Sequence, residues 1–195
     1  MKFLIESILF FRAPRNWRPV SRLLVFLLFS NTFCFIPVSS LAADKTYLSP
    51  KNFLKTVFKG DLPKPDVLWL DTQLRSVLKK ITGNRYPGVR IRFWKKSNRT
   101  AWILEEIGKY EPITVGVVIN NRKLELLKVL IYRESHGWEV RHPFFTNQFI
   151  GLGLTSQFGL SSSIDGISGA TLSVNALKSI AAVALFLHDR ALEVE

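Results

Sequence analysis

The chain has 195 residues, 47% hydrophobic and 22% charged, with 27 Lys or Arg against 15 Asp or Glu and a formal net charge of +12. A single cysteine, Cys34, excludes an internal disulfide, a Cys-ligated iron–sulfur cluster and c-type haem attachment. The three histidines, His136, His142 and His188, are too scattered for a metal site and read as surface or hydrogen-bonded side chains.

The N-terminus has the order of a secretory signal: Arg12, Arg15, Arg18 and Arg22, then an apolar run over 23–36, then Ser40-Leu41-Ala42. Cleavage after Ala42 leaves 153 residues. An uncleaved anchor is the alternative, because Leu23 to Ala43 nearly matches a bilayer in length. In both cases the basic flank stays in the cytoplasm and the following domain crosses the membrane. The n-region has no adjacent Arg pair, which favours the general secretion route. The expected location is therefore the periplasm or the outer face of the cytoplasmic membrane. Cys34 falls inside this signal, after Asn31-Thr32-Phe33 rather than the small residues of a lipoprotein signal.

The signal accounts for +4 of the net charge (five Lys or Arg against Glu6), leaving about +8 on the exported part. Export argues against nucleic acid as the partner. The cations spread over 51–64, 75–99 and 122–141, which suits a solvated basic surface, an anionic membrane surface or an acidic redox partner.

Residues 43–88 read as an N-terminal helical segment. Ser49-Pro50 starts a short amphipathic helix with Phe53, Leu54, Val57 and Phe58 on one face, and Gly60 stops it. Asp61 to Asp66 is a Pro-rich turn. A second helix runs from Leu70 to Ile81 and ends at Thr82-Gly83-Asn84.

Residues 89–195 form the core in this reading. Val89 to Trp94, Thr100 to Ile107, Ile113 to Ile119 and Leu124 to Tyr132 have the alternation or β-branched content of antiparallel strands joined by turns. Pro143 to Phe149 makes a short helix or aromatic loop. From Leu172 to Leu187 the apolar positions leave only a narrow polar stripe, containing Lys178 and Ser179, as on a largely buried helix. The fold class is α+β, a single domain: an antiparallel sheet with N-terminal helices and a long C-terminal helix packed on it.

The segment Asp165-Gly166-Ile167-Ser168-Gly169-Ala170-Thr171 stands directly before that helix. Gly166 and Gly169 allow sharp bends, Gly169 and Ala170 put no bulk beside Thr171, and Asp165 and Ser168 are helix-capping residue types. Thr171 then lies where backbone N–H groups lack partners and the helix dipole is positive, a place that favours a phosphodiester. A plain Gly-rich cap or a noncovalent phosphate loop would use the same features.

This segment resembles the flavinylation motif of FMN-binding domains, such as those found in the Na+-translocating NADH:quinone reductase and in the Rnf electron-transport complex. The resemblance implies that a flavin transferase takes FMN from FAD and joins its phosphate to Thr171, with Asp165, Gly166, Ser168, Gly169 and Ala170 around the acceptor. It continues upstream through Glu134, Gly137, Phe145, Phe149 and Gly151, where a Glu-containing turn and a Phe-rich segment help to enclose the flavin. Many members have a His-x-Glu-Thr-Pro-Gly-Leu-Gly turn there. This chain has Tyr132-Arg133-Glu134-Ser135-His136-Gly137-Trp138-Glu139, without the Thr-Pro pair or the second Gly. Trp138 and Phe144 join Phe145 and Phe149 as aromatics that could line the flavin or belong to the core. A carboxylate at Glu134, if close to the ring, would make reduction harder.

The implied function is that of an exported electron carrier with covalent FMN, relaying electrons between a membrane reductase and an extracytoplasmic acceptor. The alternative is a non-redox binding or assembly module that holds FMN or another phosphate ligand noncovalently. A self-sufficient flavin reductase is disfavoured, because no nicotinamide-binding Gly pattern follows a strand. No paired carboxylates or nucleophile–base pair appear at catalytic spacing, and Thr171 is a substrate for modification rather than a catalyst.

Overall fold

The computed structural model describes residues 45–193. The expected signal at 1–42, its alternative as an anchor, and Cys34 lie outside the described residues. The chain order is β1 (Lys45–Thr46), α1 (Pro50–Val57), β2 (Pro65–Trp69), α2 (Thr72–Thr82), β3 (Arg90–Lys96), β4 (Arg99–Ile107), β5 (Pro112–Asn120) and β6 (Lys123–Tyr132). A 3-10 turn at Trp138–Arg141 leads to α3 (Pro143–Thr146), a second 3-10 turn at Asn147–Phe149 and the long α4 (Thr171–Glu193). The strands pair antiparallel in the order β1-β6-β5-β4-β3-β2. The fold is α+β, as the sequence pattern indicates.

Local chemistry sets the helix ends. Ser49 accepts the Asn52 N–H at 3.2 Å and Pro50 fills the first turn of α1, where a missing N–H removes no intrahelical bond. Asp71 caps α2 by accepting the Leu74 N–H at 2.7 Å, and Gly83 ends it in the left-handed region at φ 76°. The second helix thus begins two residues later than the apolar spacing suggests. Leu70 instead continues the extended chain, donating its N–H to the Val89 carbonyl at 3.0 Å.

β2 corrects the expectation of a turn at the end of the Asp61 to Asp66 segment, since Pro65 and Asp66 belong to a strand. Its pattern is weak because it is an edge strand with only Leu68 fully buried, and its proline is the first residue, where no ladder bond is lost. β1, only two residues long, closes the opposite edge on β6.

Two layers cover the sheet. α4 and α2 pack on one face, where Phe93 stacks on Trp102 at 5.1 Å between ring centroids among Leu78, Val117, Leu177 and Ala181. α1 packs on the other, with Phe53, Leu54, Val57 and Phe58 against Ala101, Val118 and Leu130. β5 is covered on both sides, and every residue from Ile113 to Ile119 is buried. Gly116 is the point of closest approach to α1, because a Cβ there would meet the Phe53 ring at 2.6 Å. α4 is long and apolar enough to cross a membrane by length and composition, but 67% of its most apolar window is buried in this fold, as befits a core helix.

Candidate functional site

Three segments far apart in sequence meet at one end of the sheet. The first is the β4–β5 turn, closed by the Gly108 N–H donating to the Glu111 carbonyl at 3.0 Å. Glu134, only 8% exposed, places Oε1 inside this turn and accepts the N–H groups of Lys109, Tyr110 (2.6 Å) and Glu111 (3.0 Å). Successive N–H groups converging on one oxygen form an anion nest. Burial pushes the Glu134 carboxyl up, but the three backbone donors and the Lys109 charge outweigh it and hold the group below the usual glutamate range. Gly108 must lack a side chain here, since a Cβ would stand 2.8 Å from Glu134 Oε1.

The second segment follows β6. Tyr132 donates its hydroxyl to the His136 carbonyl at 2.5 Å, and so accepts from Ser173 Oγ at 2.9 Å. Burial raises the Tyr132 phenol, and the Glu134 and Glu139 charges add to the rise while the Ser173 bond opposes it, so the hydroxyl keeps its proton. Gly137 lies at φ +83°, and a Cβ there would meet Tyr132 Oη at 2.9 Å, Ala170 Cβ at 3.1 Å and Ser173 Oγ at 3.1 Å. This glycine is what lets the Glu134–Gly137 turn lie directly against the head of α4.

The third segment is the motif itself. Buried Ile164 and Ala170 anchor it at both ends, while Asp165, Gly166, Ser168 and Gly169 between them are exposed. The Asp165 N–H donates to Gln148 Oε1 at 2.7 Å, so a residue with no sequence signal positions the loop. Gly169 takes φ +79° with nothing within 4 Å of where a Cβ would stand. The Ala170 carbonyl accepts the Val174 N–H at 2.9 Å, which makes Ala170 the cap residue of α4. Asp165 and Ser168 therefore do not occupy the cap position, and the cap residue has no side-chain acceptor. The orphan N–H groups of the first turn stay available to an outside anion. Thr171, the first residue of α4, is exposed.

Together the three segments line a cavity of about 420 Å3 formed by Lys109, Tyr110, Glu134, Ser135, His136 and the run Gly169 to Ser173. That lies within the roughly 300–1,000 Å3 of small-molecule sites. Glu134, Gly169, Ala170 and Thr171 thus line one cavity, while Asp165, Gly166 and Ser168 lie outside its lining. Lys109, Tyr110, Ser135, Leu172 and Ser173 were not singled out by the sequence; the last two could have been found as neighbours of the acceptor. The polar stripe of α4, with Asn175, Lys178 and Ser179, lines a second and more open groove of about 630 Å3 together with Ser161, Ser162 and Ser163.

Phe145 and Phe149 require a correction. Both are 0% exposed, pack edge to face at 5.5 Å and belong to the main core, so neither offers a surface to a ligand in the cavity. Tyr110 is the aromatic residue that lines the cavity, whereas Trp138 and Phe144 are exposed outside its lining, with His142 between them at centroid distances of 5.4 and 6.2 Å.

Residues 108–185 match the family model of the FMN-binding domain. Over this stretch the chain is similar to FMN-binding domains. The match begins at the turn that Glu134 ties down and ends within α4, so every residue lining the 420 Å3 cavity lies within the matched stretch. The structure is similar to the crystal structure of Shewanella oneidensis NqrC, with a TM-score of 0.51 and 12% sequence identity, over 72% of this chain and 88% of that one. At this identity the likeness concerns the fold. No curated protein matches the chain by sequence. The residues of the cavity fit a phosphate group beside Thr171: an exposed hydroxyl, first-turn N–H groups without a side-chain cap, an open Gly169 and the Lys109 segment across the cavity. Among the described residues no group of His, Cys, Asp or Glu could hold a metal ion.

Proposed function

We propose that the protein is an exported electron carrier that holds FMN through a phosphoester bond to Thr171 and relays electrons between a membrane reductase and an extracytoplasmic acceptor. The observation that carries this reading is the position of Thr171: exposed, first in α4, and on the wall of the cavity within the stretch similar to FMN-binding domains. Bound FMN supplies exchange of one or two electrons, which no side chain of this chain offers. The protein's own contribution is positional. Thr171 Oγ presents the attachment point, the first-turn N–H groups face the phosphate, and the Tyr132–Ser173 and Glu134 networks hold the walls.

Attachment is the work of a separate flavin transferase acting on FAD. Thr171 Oγ forms a new bond to the FMN phosphorus, the pyrophosphate P–O bond breaks, AMP leaves, and the hydroxyl proton passes to a base of the transferase. Covalent retention suits a protein outside the cytoplasm, where lost FMN is not readily replaced.

The test is intact-mass spectrometry of the protein produced with a flavin transferase, beside Thr171→Ala. The expected result is a gain of one FMN less one water in the wild type and no gain in the variant. A wild type that gains no mass, or a variant that still gains it, overturns attachment at Thr171. FMN that binds but washes out on denaturation would point to the noncovalent binding module.

A further inference from the structure

We propose that the sheet face carrying α1 docks on an anionic membrane surface through Lys51, Arg90 and Arg92, with Trp69 entering the interface. The alternation of β3 creates this face. Ile91 and Phe93 point into the main core, whereas Arg90, Arg92 and Trp94 point to the α1 side. Across the β2–β3 ladder, Trp69 stands opposite Arg90 and Val67 opposite Arg92. The Arg90 guanidinium lies 5.7 Å from the Trp69 ring centroid, and Trp69 is 64% exposed.

α1 spans only eight residues and seats Phe53 over Gly116 on β5, so on β3 it covers Trp94 and leaves Arg90 and Arg92 exposed. It leaves a groove of about 570 Å3 with Leu54, Leu62, Trp94 and Ile103 as its floor and Lys51, Arg90 and Arg92 at its rim. The solvent side of α1 adds exposed Lys55 and, just beyond its end, Lys59. Residues 89–96 contain no acid; Lys95 reaches the Ala191 carbonyl on the opposite face at 3.4 Å and Lys96 pairs with Asp61 at 2.5 Å, which leaves Arg90 and Arg92 as the cations of β3 on this face.

Charge complementarity selects the occupant. The chain's own residues 1–42 carry five Lys or Arg against Glu6, so they would be repelled from this groove. The cations are spread across a helix and a strand in one layer rather than converging on a point, and exposed Trp69 and Leu62 accompany them. A basic layer carrying an exposed tryptophan suits lipid headgroups, which attract Lys and Arg and accept an amphipathic indole ring at their depth. α4 packs on the opposite face, and Thr171 opens at the ends of the strands, so docking this way leaves the cavity free.

The experiment mixes the protein, purified as cells produce it and without flavin, with vesicles of phosphatidylglycerol and phosphatidylcholine or of phosphatidylcholine alone, at about 0.1 M salt. Sedimentation reads the bound fraction for wild type, for Lys51→Glu/Arg90→Glu/Arg92→Glu, and for Lys79→Glu/Lys80→Glu/Arg190→Glu, which reverses equal charge elsewhere. We expect binding to anionic vesicles only, weakened by about tenfold or more in the first variant and by less than about twofold in the second. A blue shift of tryptophan emission on binding should be reduced in Trp69→Phe. If the charge-reversed protein does not melt cooperatively, Lys51→Gln/Arg90→Gln/Arg92→Gln replaces it. Equal losses in both variants, equal binding to neutral vesicles, or binding to a polyglutamate peptide in place of vesicles would each overturn the proposal. None of these outcomes depends on whether Thr171 carries FMN.

Discussion

α4 runs 23 residues along one face of the sheet, whereas the opposite face carries only the eight-residue α1. On the α4 side, Leu177, Ala181, Ala184 and Leu187 are completely buried against strands that are themselves sealed. On the α1 side, a few apolar residues cover the middle of the sheet and the outer strands show Arg90, Arg92 and Trp69. The same alternating strands thus make a thick layer and a thin one. Rigidity is concentrated behind Thr171, because α4 is both the main core helix and the element whose first residue lines the cavity.

The widest gap between the faces should appear when each loses one leucine. Leu177→Ala, at 0% exposure, should cost about 2–5 kcal/mol, because its surroundings are fixed on all sides and the cavity cannot collapse. Leu54→Ala, at 4% exposure on a short helix beside an open groove, should fall at the low end of that range. Urea unfolding of the two variants measures the difference; equal costs would mean that the α1 layer is as rigid as the α4 layer.

Gly116→Ala probes the thin layer from the sheet side. The new Cβ would meet three Phe53 ring carbons at 2.6–2.7 Å, so α1 must lift or the ring must turn, at about 1–3 kcal/mol. Combining it with Phe53→Leu should recover part of that loss. A double-mutant cycle reads the coupling, and strict additivity would show that Phe53 is not the obstacle.

How much of this was legible depends on how local each signal was. Thr171 and its loop could be read because seven consecutive residues carry the pattern, and α4 because its apolar positions recur over five turns. The strand pattern of Ile113 to Ile119 was legible for the same reason. The role of Glu134 was not, because its three donors lie 23 to 25 residues away and a nest of backbone N–H groups leaves no trace in residue types. Phe145 and Phe149 were misplaced because an aromatic pair beside a binding motif has the same composition whether it faces the ligand or the core. Gln148 was missed because it acts through one side-chain oxygen on a distant backbone N–H. β2 was missed because an edge strand with one buried residue has no period to detect.

Glu134→Gln tests the cavity wall, where the segment after β6 is tied to the β4–β5 turn. The amide keeps an acceptor oxygen but loses the charge that strengthens three hydrogen bonds, and its new NH2 group enters a nest of donors. A cost of about 1–3 kcal/mol follows. With the folded carboxyl held below its usual value, this stabilisation is present above the unfolded value near 4.5 and is lost as pH falls through the folded one. Acid titration of wild type and variant should therefore converge below that window.

His188 supplies the mildest test, and it is confined to the α4 face. Its Nδ1 lies 2.7 Å from Thr100 Oγ1, which also accepts the Trp102 indole N–H at 2.9 Å, and its Nε2 faces the Arg122 N–H at 3.4 Å. This network assigns a neutral ring with Nδ1 as donor and Nε2 as acceptor. Burial lowers its pKa, the Asp189 charge opposes that, and the Arg122 charge adds to it. A proton added at Nε2 would also meet a donor rather than an acceptor. The unfolded chain then binds more protons than the folded one below the ordinary value of 6.5, so stability is complete above that pH and falls as pH drops toward the folded value. The loss should begin below 6.5 and deepen as pH falls toward the folded value. It should vanish in His188→Gln, whose own constant cost is separate. Because this window lies above that of Glu134, urea unfolding at stepped pH should show the α4 face weakening first; a single step near pH 4 would place the whole acid response at the carboxylates.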